Sequence, residues 1–186
     1  NWERTKGYNI VEKEELVSIA SYYDTTINIL NYLLQLNHET SLNRKKENER
    51  FLTESGINFD DDNKRVALKY IFVNSNAMLI YGAAGTGKTT LIKYISNMFA
   101  DARKLYLTKT HTALQNVKRY LDNKSNNCDF EIIDSITRSN LSVNYDIIFV
   151  DECSTIDNRT MALLLGKISR EVLLVMSGDI YQIESI

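Results

Sequence analysis

A glycine-rich segment with one lysine and several hydroxyl side chains is the part of this chain best suited to chemistry. It reads G-A-A-G-T-G-K-T-T and satisfies the pattern G-x-x-x-x-G-K-[ST]. Backbone amides of such a turn converge on an anion, Lys88 adds an ammonium for the outer phosphates, and the Thr89 hydroxyl suits Mg²⁺. The pattern predicts that a nucleotide polyphosphate binds the whole loop: Gly82, Ala83, Ala84, Gly85, Thr86, Gly87, Lys88, Thr89 and Thr90. The alternative is an ordinary glycine-rich turn, which a full match in this context disfavours.

Two adjacent acids supply the second chemical element. Asp151 and Glu152 directly follow the apolar run 147–150, which has the character of a buried strand. Ligands of open parallel sheets bind beyond the carboxyl ends of the strands. We therefore expect Asp151 to hold Mg²⁺, directly or through a water, and Glu152 to orient and deprotonate an attacking water. An isolated acid pair would more simply cap the next helix.

A third element, S-G-D-I-Y-Q at 177–182, again directly follows an apolar run. Gly178 permits a tight exit from the strand, and Asp179 and Gln182 are placed to reach a γ-phosphate or its water. Taken alone, this pattern is typical of a turn. It becomes informative because it follows the loop and the acid pair in order.

The elements that must position these residues alternate along the chain. Apolar runs predict strands at 77–81, 105–107, 130–133, 147–150 and 172–176, and helical patterns follow the loop and lie at 112–121 and 158–168. The Asn-rich tract 123–127 predicts a loop. Strands buried on both faces and separated by helices indicate an α/β fold with a mostly parallel sheet flanked by helices.

The N-terminal third has a different pattern. Apolar residues at helical spacing predict a long helix over 11–36, and the charged stretch 43–50 predicts a solvated helix face or a connection. The acids 60–62 are suited to capping a further helix over 63–73. We therefore predict a helical region over 1–58 and a phosphate-loop domain over 59–186.

Composition sets outer limits on these interpretations. The formal net charge is −2, so no global positive field indicates a nucleic-acid partner, and any such partner must bind a local surface. Two cysteines make no disulfide framework, and we expect a reduced, cytoplasmic setting. No apolar run approaches the length of a membrane span, and no signal peptide opens the sequence. The chain begins with Asn1 and stops after the third element, so we expect it to be a piece of a longer protein.

With these motifs in order, the sequence resembles the first RecA-like motor domain of superfamily 1 DNA helicases. Segment 82–90 matches motif I of that family, 107–113 resembles motif Ia, 151–154 matches motif II and 178–182 matches motif III. The resemblance covers about residues 60–186. Ser154 lies where the 3′-to-5′ branch usually has Gln, which resembles the 5′-to-3′ branch of RecD, Dda and Pif1.

The resemblance implies an ATP hydrolase that uses ATP and Mg²⁺ and moves along single-stranded DNA. It implies catalytic roles for Lys88, Glu152 and Gln182, the last of which would sense the γ-phosphate. It also implies nucleic-acid contacts by motif Ia, through Thr108, Thr110 and His111. Members of the family usually have a Gln upstream of motif I that reads adenine, and Asn63 is its nearest counterpart in this sequence.

The family's second motor domain, with its arginine finger, is absent from this sequence. Such a finger contributes about 10³–10⁵ in turnover where it operates. We therefore expect this fragment to bind Mg²⁺-ATP weakly and to hydrolyse it very slowly. An RNA helicase of the same superfamily and a regulatory ATP switch that does not move remain the alternatives.

Overall fold

The structure, a computed structural model, describes residues 10–13, 16–36, 42–59, 62–121, 127–139 and 144–179. Within these ranges there are seven strands: β1 Ile10–Lys13, β2 Leu16–Ile19, β3 Ala77–Tyr81, β4 Lys104–Thr108, β5 Cys128–Ile132, β6 Ile147–Val150 and β7 Leu173–Gly178. It also contains seven α-helices: α1 Ala20–Gln35, α2 Leu42–Glu54, α3 Asp62–Tyr70, α4 Lys88–Met98, α5 His111–Leu121, α6 Ile133–Arg138 and α7 Asn158–Leu165.

Strands β3 to β7 form one sheet in the order β3-β7-β6-β4-β5, and all four pairings are parallel. The α/β fold expected from the sequence is therefore confirmed. In this order the strands that precede the glycine-rich loop, the third element and the acid pair are β3, β7 and β6. These three are neighbours, so their carboxyl ends meet along one edge of the sheet.

Alternate residues of the central strands bury two separate layers, because successive side chains of a strand point to opposite faces. On one face, Leu105, Ile148 and Leu174 pack with residues of α1, α6 and α7. On the other face, Tyr106, Phe149 and Val175 pack with residues of α3, α4 and α5. Continuous apolar runs form these strands because helices cover both faces.

Two helix starts near the site have clear local causes. The Thr110 hydroxyl accepts a hydrogen bond from the Ala113 amide at 3.2 Å at the start of α5. The Asp157 carboxylate accepts one from the Thr160 amide at 2.9 Å at the start of α7, which holds the pKa of Asp157 below its usual range. Both helices therefore begin close to the residue that the sequence pattern indicates.

The predicted helix over 11–36 is wrong in its first part. The structure has the antiparallel pair β1–β2 there, with Ile10 opposite Ile19, and the helix begins only at Ala20. β-branched residues such as Val11 and Val17 favour extended backbone, and the apolar count alone could not separate the two periods. The charged stretch 43–50 lies in α2, as one of its two interpretations held.

The helices of the N-terminal region pack directly on the sheet domain. The Tyr32 hydroxyl of α1 donates to the Ile168 carbonyl at 3.2 Å, beyond the end of α7. The buried Asn48 amide of α2 donates to the carbonyls of Lys69 and Ile71 at 3.2 and 3.0 Å. Among the described helices, none combines the length and apolarity that crossing a membrane requires.

Candidate nucleotide site

The loop 82–87 adopts a shape that glycine makes possible. Gly85 and Gly87 have φ of 81° and 82°, in the left-handed region that residues with a Cβ rarely adopt. A Cβ on Gly82 would lie 2.6 Å from the hydroxyl oxygen of Thr86. That hydroxyl donates to the Ala83 carbonyl at 2.9 Å and closes the turn.

The start of α4 is an open helix N-terminus. Gly87 is its N-cap and offers no side chain, and the first helical bond runs from the Leu91 amide to the Gly87 carbonyl at 3.0 Å. The amides ahead of Leu91, at Lys88, Thr89 and Thr90, precede that first bond and are suited to an anion at the positive end of the helix dipole.

The Lys88 ammonium folds back over the loop. It donates to the Gly82 carbonyl at 2.6 Å and to the Ala83 carbonyl at 2.9 Å. These contacts hold a positive charge against the loop that leads into the N-terminus of α4. The loop thus combines the positive charge of Lys88 with the positive end of the α4 dipole.

The acid pair follows β6 directly, as the sequence predicts. The Asp151 carboxylate accepts hydrogen bonds on Oδ1 from the Ser177 hydroxyl and, at 3.0 Å, from the Glu152 amide. Ser177 lies on β7 and is fully buried. Two donors from different elements therefore fix the orientation of the Asp151 carboxylate.

Glu152 has a left-handed backbone, with φ of 54°, which is uncommon for a residue with a side chain. The amide and the hydroxyl of Thr155 both donate to the Glu152 carbonyl at 2.9 Å and stabilise this turn. Partial burial raises the pKa of the Glu152 carboxyl, the Asp151 charge raises it further, and Lys88 opposes the rise. A carboxylate with a raised pKa is a better proton acceptor, as a general base requires.

The third element adjoins both of the others. The Gly82 amide donates to the Gly178 carbonyl at 3.4 Å, and the Asp179 amide donates to the Ser154 hydroxyl at 3.3 Å. A Cβ on Gly178 would lie 3.1 Å from Cys153 Sγ and 3.2 Å from Tyr81 Cε1. Gln182 lies outside the described residues, so its predicted role stays a prediction.

A cavity of about 440 Å³ lies between the loop, α5 and the acid pair. We call it the acid-side cavity. It is lined by Gly85, Gly87, Lys88, Thr89, Thr90, Ala113, Asn116, Val117, Tyr120, Asp151 and Glu152. The Tyr120 and Thr90 hydroxyls are hydrogen-bonded across this cavity at 2.8 Å, which joins α5 to the first turn of α4.

The donors in this cavity fit Mg²⁺. Thr89 offers a hydroxyl and Asp151 a carboxylate, both hard oxygen ligands. Within the described ranges, no cluster of three or more His, Cys, Asp and Glu side chains is placed to hold a metal. A site with one or two protein oxygens suits Mg²⁺, which usually keeps waters and binds substrate phosphates.

A second cavity, of about 360 Å³, lies on the other side of the loop, against α3. We call it the α3-side cavity. It is lined by Asn63, Lys64, Ala67, Met78, Leu79, Ile80, Tyr81, Gly82, Thr86, Gly87, Lys88 and Leu91. Asn63, to which the family resemblance gives a contact with adenine, lies beside the loop, and Gly87 and Lys88 line both cavities.

The predicted nucleic-acid residues lie at the carboxyl end of β4. Thr108 is fully buried, and its hydroxyl donates to the Thr110 carbonyl at 2.9 Å, so it serves the turn. Thr110 and His111 are exposed, as is Lys109 between Thr108 and Thr110. The Lys109 ammonium donates to the Thr155 carbonyl, which joins this corner to the turn that holds Glu152.

The structure brings to the site four residues for which the sequence pattern indicated no role: Lys64, Asn116, Tyr120 and Ser177. Only Ser177 carried a usable signal, since it is a polar residue at the end of an otherwise apolar strand. The other three lie on helices distant in sequence from the loop. Their proximity depends on how α3 and α5 pack on the sheet.

The fold and the loop together define a P-loop nucleotide-binding domain. Residues 65–186, more than half of the chain, match the AAA domain family. The chain belongs to that family.

Other matches are more distant. An uncharacterized protein of Methanocaldococcus jannaschii is 27% identical over 97% of this chain, which spans only 18% of that relative. The arterivirus nonstructural protein 10 helicase, solved with DNA, matches 58% of this chain and 30% of its own, with 16% identity and a TM-score of 0.44. A coclaurine N-methyltransferase matches 85% of this chain and 52% of its own, with 16% identity and a TM-score of 0.38. Proteins of two different activities match at such scores, so these structural matches alone assign no activity.

Proposed function

We propose that this chain is the ATP-binding motor domain of an ATP-dependent helicase or translocase that moves 5′-to-3′ on single-stranded DNA. The observation that carries the nucleotide part is the meeting of three elements at one edge of the sheet. The loop after β3 is hydrogen-bonded to Gly178 at the end of β7, and Ser177 of β7 is hydrogen-bonded to Asp151 after β6. Membership in the AAA domain family supports the same conclusion.

In this proposal each group has one task. The loop amides and Lys88 bind the polyphosphate of ATP, and Thr89 and Asp151 hold Mg²⁺. When bound, Mg²⁺ neutralises charge on the phosphate oxygens. Glu152 accepts a proton from the attacking water, and its raised pKa suits that task.

The helicase part rests on the order of the four motifs along the sequence, and the structure adds one supporting contact. Lys109, Thr110 and His111 form an exposed corner beyond β4, suited to phosphate contacts that carry no sequence information. Through the Thr155 carbonyl, Lys109 also contacts the turn of Glu152. Single-stranded DNA bound at this corner would therefore lie close to the general base, Glu152.

Nucleotide binding by this chain tests the core of the proposal. We expect saturable binding of Mg²⁺-ATP by NMR titration, and loss of most of that affinity in Lys88→Ala. Arg119→Ala, an exposed change in the last turn of α5, is the matched control and should bind as the wild type does. Equal affinity in the wild type and Lys88→Ala would refute the assignment of the loop.

The choice between DNA and RNA as the substrate is tested in the full-length protein. We expect single-stranded DNA to stimulate ATP hydrolysis, and a Glu152→Gln variant to bind Mg²⁺-ATP without turnover. Stimulation by RNA alone would indicate the RNA helicase alternative. ATP binding with no response to either strand would indicate a regulatory switch.

A further inference from the structure

The α3-side cavity brings a second lysine to the loop. Lys64 lies in the first turns of α3, a helix that precedes β3 and belongs to none of the four motifs. It is half-buried and lines the cavity together with Lys88. The two ammonium groups therefore reach the same loop from different helices.

The position of Lys64 relative to the loop is close and specific. Its Nζ and Cε atoms lie 2.8 and 3.0 Å from the point where a Cβ on Gly87 would stand. Gly87 is the residue at which the loop becomes helix α4. The Lys64 ammonium thus lies over the junction of the loop and the helix N-terminus.

The described lining of this cavity carries positive charge. Among its described lining residues, Lys64 and Lys88 are the charged ones, and no lining residue in that set is acidic. Gly87 and Lys88, at the positive end of the α4 dipole, also line this cavity. A phosphate bound there would face both ammonium groups.

The rest of the cavity is suited to a nucleoside. Ala67, Met78, Ile80 and Leu91 provide apolar surface, and Asn63 provides one amide. A planar base in this space would place its ribose and first phosphates beside Gly87. The Lys64 ammonium lies beside Gly87 on the α3 side.

We infer that Lys64 is a second phosphate-binding lysine, which contacts the inner phosphates of the nucleotide from the α3-side cavity. This inference rests on the proposed function, because it requires that a nucleotide bind the loop. It assigns the inner phosphates to Lys64 and leaves the outer ones to Lys88. The affinities for ADP and for ATP should therefore depend equally on Lys64.

The test measures affinities of this chain for Mg²⁺-ATP, ADP and adenosine by NMR titration. Lys64→Met keeps the apolar stem and removes the charge, and Lys64→Arg keeps the charge. We expect Lys64→Met to weaken the affinities for ADP and ATP by about tenfold each. This is the lower end of the range for losing a hydrogen bond to a charged group, because Lys64 is partly exposed. Adenosine affinity should not change, and Lys64→Arg should retain most of the ADP affinity. Arg65→Met, an exposed neighbour on α3 outside the cavity lining, is the control and should bind normally.

Three results would overturn the inference. If Lys64→Met binds ADP as the wild type does while Lys88→Ala does not, Lys64 has no phosphate role and the proposed function stands. If adenosine affinity falls as much as ADP affinity, Lys64 only packs against the loop. If the wild type binds none of these ligands, the proposed function fails and this inference fails with it.

Discussion

The contact between Ser177 and Asp151 makes a quantitative prediction about the metal site. The Ser177 hydroxyl is fully buried and donates to Asp151 Oδ1, which otherwise accepts only the Glu152 amide among the described contacts. Ser177→Ala removes that donor without adding bulk. It therefore tests whether β7 holds the carboxylate that the proposal assigns to Mg²⁺.

The cost follows from the kind of bond that is lost. A hydrogen bond to a charged group contributes about 1.5–3 kcal/mol, and we take about 1.5 kcal/mol because the Glu152 amide still holds Oδ1. For a domain of this size, that loss corresponds to a fall of about 3–6 °C in the melting temperature. Removing an outer partner of a metal ligand typically weakens metal affinity by about 10–100-fold, and we expect about tenfold.

Two measurements separate the structural effect from the metal effect. Circular dichroism gives the melting temperature without ligand, and NMR titration gives ATP affinity with and without Mg²⁺. Ser177→Ala should reduce the gain in affinity that Mg²⁺ provides and leave metal-free binding nearly unchanged. Ser135→Ala, an exposed change on α6, should alter neither quantity. An unchanged Mg²⁺ dependence in Ser177→Ala would refute the reasoning.

Three further predictions concern the general base, a buried charge and a helix start. Because burial and Asp151 raise the pKa of Glu152, this carboxyl should take up its proton above pH 4.5 in the chain without nucleotide or metal. An NMR pH titration checks this, and protonation only at or below pH 4.5 would contradict it. Lys104 is almost fully buried, and burial lowers its pKa from 10.5, so Lys104→Met should raise the melting temperature. The difference in melting temperature between the variant and the wild type should shrink as pH rises toward 10.5, because wild-type stability increases there. An equal difference at all pH values would contradict this. Thr110→Ala should cost about 1 kcal/mol in a urea titration, since it removes the cap of α5, and no loss would show that the cap is not needed.

The parts of the fold that follow from local pattern could be predicted from the sequence. The run 147–150 is apolar at every position because helices cover both faces of β6, and the strand has those bounds. The loop and the acid pair were likewise evident, because their residue types follow strands directly. The expectation that the loop and the acid pair lie side by side rested only on the general rule that ligands bind beyond the carboxyl ends of parallel strands.

The remaining features depend on packing that a linear pattern does not contain. The strand order places β7, last in sequence, between β3 and β6, and this alone brings Ser177 to Asp151. Lys64 and Tyr120 reach the loop because α3 and α5 pack on either side of α4. The antiparallel pair β1–β2 was missed because its apolar spacing also fits a helix.

The central claim is that one crevice binds the polyphosphate between the loop and the acid pair. A crystal structure of this chain with Mg²⁺ and a non-hydrolysable ATP analogue tests it most directly. We expect the phosphates to lie on the amides of 85–90, with the metal between Thr89 and Asp151. Phosphates bound elsewhere, or a metal distant from Asp151, would contradict the account.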